Sequence, residues 1–344
     1  MARILGIEST CDETAAAVVE NGTRVLSSVI ASQAEIHAKY RGVVPEIACR
    51  AHIENILPVI KDAAEQAGMS LNEMDAVAVT HRPGLIGSLL IGVTAAKTLA
   101  WVLNKPLIGV DHVQAHLYSS MLCPPANPTS RINIVFPAVG LAVSGGHTAL
   151  YHLQDFSHIR LIGRTIDDAI GEAYDKVAFI LGLGYPGGPI IDRLALEGDP
   201  LAVRFPRTTL TRTSLDFSFS GLKTSVLYHV RGKKGRERTV ASLSEQQIAD
   251  VAAGFQAACV AVVTTKLERA LQQTHAKSIV IGGGVSANRG LRAALARFSV
   301  PVLFPDFAYC TDNAAMSAGL AYLKYQAREF AALDLDAFPQ SLLV

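Results

Sequence analysis

Ile4-Leu5-Gly6-Ile7-Glu8-Ser9-Thr10-Cys11-Asp12-Glu13-Thr14-Ala15-Ala16-Ala17-Val18-Val19-Glu20 opens the chain and decides how the rest is read. Residues 3–7 form a short apolar run of strand length, residues 8–14 are small and polar, and residues 15–20 resume a strand pattern. The segment predicts a β-hairpin with a polar tip. The same unit returns at 137–153, where Ser144-Gly145-Gly146-His147-Thr148 separates two apolar runs. A second pair supports the repeat. A strand at 75–80 leads into His81-Arg82-Pro83-Gly84-Leu85-Ile86-Gly87 and a helix. A strand at 277–281 leads into Gly282-Gly283-Gly284-Val285-Ser286-Ala287-Asn288 and a helix. Each half thus runs hairpin, strand, glycine loop, helix, which predicts an α/β protein made by internal duplication, two like domains facing a shared cleft. Pro124, Pro125 and Pro128 mark the link between halves at 121–131.

Composition narrows the class. The 344 residues are 50% hydrophobic and 18% charged, with a formal net charge of +1. That excludes a largely disordered chain and a strongly basic nucleic-acid binder, so any RNA contact falls to local patches or to a partner. The five cysteines form no CxxC pair, which argues against a disulfide framework or a zinc–thiolate site. Residues 85–103 are the most membrane-like, but they contain Lys97 and follow a glycine turn, so a buried helix is expected. With no signal-peptide pattern, a cytoplasmic enzyme is the default. Helical periodicity is clear at 51–67 and 245–272. The basic run 231–238, with Lys233 and Lys234, reads as a solvated loop or an RNA contact.

His112 and His116 are four apart, a spacing that puts both rings on one helical face and can hold a metal. Val113 follows His112 where a zinc protease needs glutamate as its base, so that chemistry is disfavoured. Asp312 is either a third ligand or the N-cap of a following helix at 313–326. Imidazole with carboxylate suits iron, zinc or manganese. The tips at 9–14 and 144–148 expose successive backbone N–H groups, and two such nests would clamp one polyphosphate. The loop 282–288 offers a further anion or ribose–phosphate site at a helix start, while no GxxxxGK[ST] is present. Tyr185-Pro186-Gly187-Gly188-Pro189 reads as a rigid turn with Asp192 at the following helix start. Residues 171–176 read as a polar interruption before an apolar helix. Asp175 and Asp192 are ribose or amine acceptors, or surface residues. The stretch Asp216-Phe217-Ser218-Phe219-Ser220-Gly221-Leu222-Lys223-Thr224 reads as a packed lip on a cleft. Asp12 and Glu13, at the first tip, are candidates for a general base, or they order the loop or a magnesium ion.

Together these segments, with Gly42-Val43-Val44-Pro45-Glu46 and Thr311-Asp312-Asn313-Ala314-Ala315-Met316, resemble the TsaD/Gcp family, the tRNA N6-adenosine threonylcarbamoyltransferases, nearly end to end. The resemblance implies two actin-like (ASKHA, RNase H-like) ATPase domains, at 1–125 and 132–311, the first completed by a helix at about 312–330. It implies one metal per subunit, usually Fe2+ with Zn2+ or Mn2+ open, on His112, His116 and Asp312. It places ATP or threonylcarbamoyl-AMP, with Mg2+ as a companion left open, against Ala142, Val143, Ser144, Gly145, Gly146, Asp175, Gly188, Asp192 and Asn288. The implied reaction moves a threonylcarbamoyl group from threonylcarbamoyl-AMP to N6 of the adenosine 3′ to the anticodon, in tRNAs reading codons that begin with A, and releases AMP. The implied partners are tRNA, a TsaB-like actin-fold paralogue, a TsaE-like P-loop ATPase and an upstream threonylcarbamoyl-AMP synthase, with no membrane. The chain departs from the family pattern at Asp111 and Gln114, where histidine and glutamate are usual, and at Arg41 and Arg82, where glycine is usual. Asp111 is expected to add negative charge near the metal. The rival readings are a metalloprotease and a nucleotide-binding scaffold.

Overall fold

The computed structural model describes the chain except residues 41, 127–133, 209, 233–239, 342 and 344. It divides into two compact units, one of Met1–Asn133 with Pro305–Val344 and one of Ile134–Phe304. The basic run at 233–238 and Arg41 lie outside the described residues.

The first unit contains β1 (Arg3–Glu8), β2 (Glu13–Glu20), β3 (Arg24–Ser32), α1 (Ala34–Ala38), α2 (Pro45–Gln66), β4 (Ala76–Arg82), α3 (Ile86–Val102), β5 (Leu107–Asp111) and α4 (His112–Tyr118). The second contains β6 (Ala138–Val143), β7 (Thr148–Leu153), β8 (Ile159–Arg164), α5 (Ile170–Ile180), α6 (Gly187–Leu194), α7 (Ser220–Arg231), α8 (Glu245–Thr274), β9 (Ser278–Gly282), α9 (Arg289–Leu295) and β10 (Val302–Leu303). The chain then returns to the first unit with α10 (Ala314–Ala327).

The duplication is explicit in the sheets. Their strand orders are β3-β2-β1-β4-β5 and β8-β7-β6-β9-β10, the same path taken twice. In each, the first three strands are antiparallel and the last two join in parallel. The first polar tip is shorter than its composition indicates. Glu8 still pairs with Ala15 and Glu13 with Ser32, so only residues 9–12 turn, matching residues 144–147 in the second unit.

Strand alternation explains how the first site is built. Leu5 and Ile7 point into a core with Ile56, Val59 and Ile60 of α2 and Leu89 and Val93 of α3. Gly6 points the other way, and a side chain there would overlap the Ala314 carbonyl at the start of α10. Two residues on, Glu8 shares that face and meets Ser317 of α10 at 3.3 Å. In the second unit, α8 starts with a Ser244–Gln247 capping box and buries Val251, Phe255, Cys259, Val262 and Val263 against Val139, Leu141, Ile279 and Ile281. Each such fully buried side chain contributes about 1.5–3 kcal/mol. Among the described residues α8 alone is long and apolar enough to cross a membrane, and 61% of its apolar window is buried in this core. The segment at 85–103 is α3, whose Leu89, Val93, Ala96 and Ala100 enter the first core.

Three local expectations are corrected. Residues 171–176 lie inside α5, because Glu172 reaches back to the Ala169 N–H and starts the helix early. Asp192 lies in the last turn of α6, which begins at Gly187 directly after Pro186. Phe217 and Phe219 are fully buried and stacked 6.1 Å apart, so the two aromatics of this stretch belong to the core while Ser220 and Gly221 reach the surface.

Candidate functional site

β5 runs straight into α4. Asp111, its last residue, accepts hydrogen bonds from the Val113 and Gln114 N–H groups at 3.0 and 3.1 Å and caps the helix. His112 and His116 therefore sit one turn apart, with ring centroids 4.5 Å apart and planes at 79°. Asp312 precedes α10, but the helix is capped by Asn313, whose Oδ1 accepts from Met316 N–H at 3.0 Å. Asp312 thus has no capping duty and turns to the histidines. Its Oδ1 lies 2.9 Å from His116 Nε2 and 3.6 Å from His112 Nε2. One ligand atom from each of the three residues fits within 4.8 Å, a possible His-His-Asp metal site held within the first unit.

Behind His112 stands Glu8, fully buried, with Oε2 3.4 Å from His112 Nδ1. Thr10 Oγ1 is 3.3 Å from the same nitrogen. Glu8 also accepts from the Thr80 hydroxyl at 2.5 Å and the Thr10 N–H at 3.0 Å. Burial works against a charged His112 ring, but the Asp312 and Glu8 carboxylates outweigh it and raise the ring to about 9. Burial likewise opposes a charged Glu8, and His112 reverses this and holds its carboxyl below the usual range. His116 Nδ1 is buried with no hydrogen-bond partner among the described residues.

Glu13 is pushed up to about 10, first by burial and then by the Asp312 and Asp12 carboxylates. Burial, then Asp12 and Asp312, push the Cys11 thiol far above its ordinary value, so it is no thiolate nucleophile. Asp12 and Glu13 therefore share one negative field with Asp312. Asp111 adds to that field at His112, but its two carboxylate oxygens are bonded to the α4 N-terminus and to Ser341. Sequence reasoning assigned Glu8 to a turn and missed its role. The signal was a carboxylate two residues after Gly6, on the strand face that meets α10.

In the second unit the tip bonds to itself. Ser144 N–H donates to the His147 carbonyl at 2.8 Å, and His147 N–H to Ser144 Oγ at 3.1 Å. Gly145 and Gly146 are exposed, and side chains there would meet only open space. Ala142 and Val143 lie behind them in β6, buried. Gly171 N–H donates to the Ser144 carbonyl at 3.2 Å, bringing the α5 start to the tip. Gly283 has φ +96°, and a Cβ there would run into the Val143 carbonyl, so the second glycine loop also presses on the tip. Asp175 accepts from Gly187 N–H at 2.7 Å and Asp192 from Arg289 N–H at 3.1 Å, each at a helix start. Asn288 caps α9 through Leu291 N–H at 2.8 Å and donates to Gln256 Oε1 at 2.6 Å. Gly188 faces open space. Gln256 went unnoticed in the sequence because it lies inside the apolar run of α8.

The doubled sheet places the chain among actin-like ATPase folds, and the His-His-Asp cluster adds a possible metal site to it. Solved structures of this architecture include full-length HypF in its phosphate- and nucleotide-bound form, with TM-score 0.58 and 14% identity, over 99% of this chain and 47% of that one. Component A of the Acidaminococcus fermentans (R)-2-hydroxyglutaryl-CoA dehydratase gives TM-score 0.52 and 15% identity, over 95% of this chain and 100% of the other. These likenesses concern the fold. Residues 24–319 match the family model described as TsaD: tRNA N6-adenosine threonylcarbamoyltransferase. Relatives bearing that name include one from Moorella thermoacetica, 51% identical over 98% of this chain and 96% of its own length. Another, from Symbiobacterium thermophilum, is 50% identical over 98% and 95%. The chain belongs to the tRNA N6-adenosine threonylcarbamoyltransferase family, and it is a transferase that forms N6-threonylcarbamoyladenosine in tRNA.

Proposed function

We propose that His112, His116 and Asp312 hold one divalent metal, Fe2+ in first place, with Zn2+ and Mn2+ meeting the same donors. The supporting observation is the convergence of two imidazoles and one carboxylate within 4.8 Å, with Glu8 behind the first ring. Two histidines and a carboxylate form a donor set suited to iron. Glu8 takes the Nδ1 hydrogen of His112 and leaves the Nε2 lone pair aimed at Asp312 and the ion, the tautomer a metal needs. When bound, the metal polarises the acyl donor and offsets phosphate charge.

The proposed donor is threonylcarbamoyl-AMP and the acceptor is N6 of the adenosine 3′ to the anticodon, in tRNAs reading codons that begin with A. The amine attacks the carbamoyl carbon, the carbon–oxygen bond to phosphate breaks, and AMP departs with the bonding pair. The N6 proton goes to a carboxylate at the first tip, Asp12 or Glu13. In the metal-free chain, burial and then the Asp312 and Asp12 carboxylates hold the Glu13 carboxyl well above its ordinary range. A cation beside it, Mg2+ included, would lower it. In the second unit, the open backbone at Gly145 and Gly146, in the turn that Ser144 closes and in front of Ala142 and Val143, cradles phosphate of ATP or the adenylate. Asp175, Gly188, Asp192 and Asn288 meet the rest of the nucleotide, with Gly188 leaving open space for it. The near-neutral charge fits tRNA binding shared with a TsaB-like paralogue and a TsaE-like P-loop ATPase in the cytoplasm, with an upstream synthase supplying the adenylate.

The test mixes the protein and these partners with unmodified tRNA and threonylcarbamoyl-AMP, digests the RNA and seeks the modified nucleoside by mass spectrometry. Product from the native chain and none from His112→Ala is expected. Equal product from both would remove the metal from the chemistry.

A further inference from the structure

Asp111 stands between two structures that the reaction as described does not connect. Its Oδ1 caps α4, and its Oδ2 accepts a hydrogen bond from Ser341 Oγ at 2.6 Å. The Ser341 oxygen also accepts from Leu343 N–H at 3.1 Å, so its single hydroxyl hydrogen is directed at Asp111. Ser341 ends a strap that follows α10. Ala331 N–H donates to the Leu107 carbonyl at 2.8 Å, on the outer strand β5. His81 Nδ1 donates to the Asp336 carbonyl at 2.9 Å, and Phe338 N–H donates to the His81 carbonyl at 2.9 Å. The Arg82 guanidinium lies 4.8 Å from the Phe338 ring centre. The strap thus covers the edge of β5 and finishes on the residue that starts the histidine helix.

That helix has seven residues, with His112 the first and His116 the fifth. So short a helix draws much of its stability from its cap, and the Asp111 carboxylate holds the N–H groups of the turn that carries His112. A turn of the Asp111 carboxylate therefore moves both rings relative to Asp312, and metal ligation tolerates only small errors of that kind. We infer that Ser341 is a positioning residue: through Asp111 it sets the direction of α4, so that docking of the C-terminal strap and metal uptake by His112, His116 and Asp312 are coupled. The inference rests on the metal reading above. Coupling is reciprocal, so metal tightens the strap as the strap tightens the metal.

Cobalt(II) serves as the probe on the full-length chain. Its affinity and visible spectrum are compared for wild type, Ser341→Ala and Ser341→Thr, together with hydrogen exchange of residues 331–341 with and without the ion. Ser341→Ala is expected to bind cobalt roughly tenfold more weakly, the scale of an outer-shell loss, with a shifted visible band. Cobalt should slow strap exchange in wild type and not in Ser341→Ala, and Ser341→Thr should restore both effects. A Ser341→Ala chain equal to wild type in affinity, spectrum and metal-dependent exchange overturns the coupling while leaving the metal site standing. Weakened binding that Ser341→Thr does not restore overturns it also. A wild-type chain that takes up no cobalt removes the metal reading and this inference with it.

Discussion

The two hairpin tips occupy the same place in the duplicated topology, yet they are built from opposite materials. At the end of β1 stands Glu8, fully buried, while at the corresponding end of β6 stands Val143, also fully buried. Ser9 and Thr10 are buried, Ser9 donating to the Ser88 carbonyl and Thr10 lying beside His112, whereas Gly145 and Gly146 lie exposed with open space above them. The first tip places side-chain charge beside two histidines and an aspartate. The second offers bare backbone. A carboxylate for a methyl pair at the strand end, together with glycines in the second turn, distinguishes a tip suited to a cation from one suited to an anion.

The largest expected effect strikes the first tip's neighbour. Asp312→Ala should lower threonylcarbamoyl transfer roughly a hundredfold or more and abolish stable metal uptake, read by product mass spectrometry and metal analysis. Nucleotide binding, assigned to the second unit, should survive. Loss of both functions together would break the division between units. The next effects lie at the second tip and in the glycine loop that presses on it. Gly283→Ala forces a side chain into a positive-φ position and against the Val143 carbonyl. It should cost about 1–3 kcal/mol from backbone strain alone, seen as an earlier thermal midpoint. Gly145→Ala has room and should change stability by no more than about 0.5 kcal/mol, while weakening ATP binding measured by calorimetry. If Gly145→Ala binds ATP normally, the bare-backbone account of that tip fails.

Glu8→Gln sharpens the comparison further. The amide keeps the shape but gives up the charge that holds the Nδ1 hydrogen of His112. Metal affinity should fall roughly tenfold to a hundredfold, measured with cobalt(II), and ATP affinity should stay level. Glu8 also shows where the sequence stops being legible. The repeated hairpins, the glycine loops and the His112–His116 spacing could be read because each follows a local period or turn rule. The choice between capping and ligation at Asp312 could not, because it depends on Asn313 taking the cap, a matter of backbone direction at α10. The bond from Asp111 to Ser341 spans 230 residues of sequence separation, beyond any local pattern. Asp192 and Asn288 looked like ligand contacts in sequence, and part of their hydrogen-bonding capacity is spent on the start of α9.

The last comparison is in pH, and it separates the tips by the kind of group each is proposed to use. In the metal-free chain His112 is raised to about 9, above its ordinary 6.5. A raised histidine stabilises the folded state fully below the ordinary value, and that contribution is lost as pH climbs through about 9. A metal needs the same ring neutral, so binding must displace its proton at every pH below that value. Metal affinity should therefore rise with pH, by about tenfold per unit for each proton displaced, and level off as pH nears 9. The second tip, on the proposed reading, binds through backbone N–H groups, which do not titrate in this window. ATP affinity above neutral pH should stay flat while cobalt affinity climbs in parallel titrations. A flat cobalt profile would mean that His112 is already neutral before the metal arrives, and that Glu8 and Asp312 do not charge it.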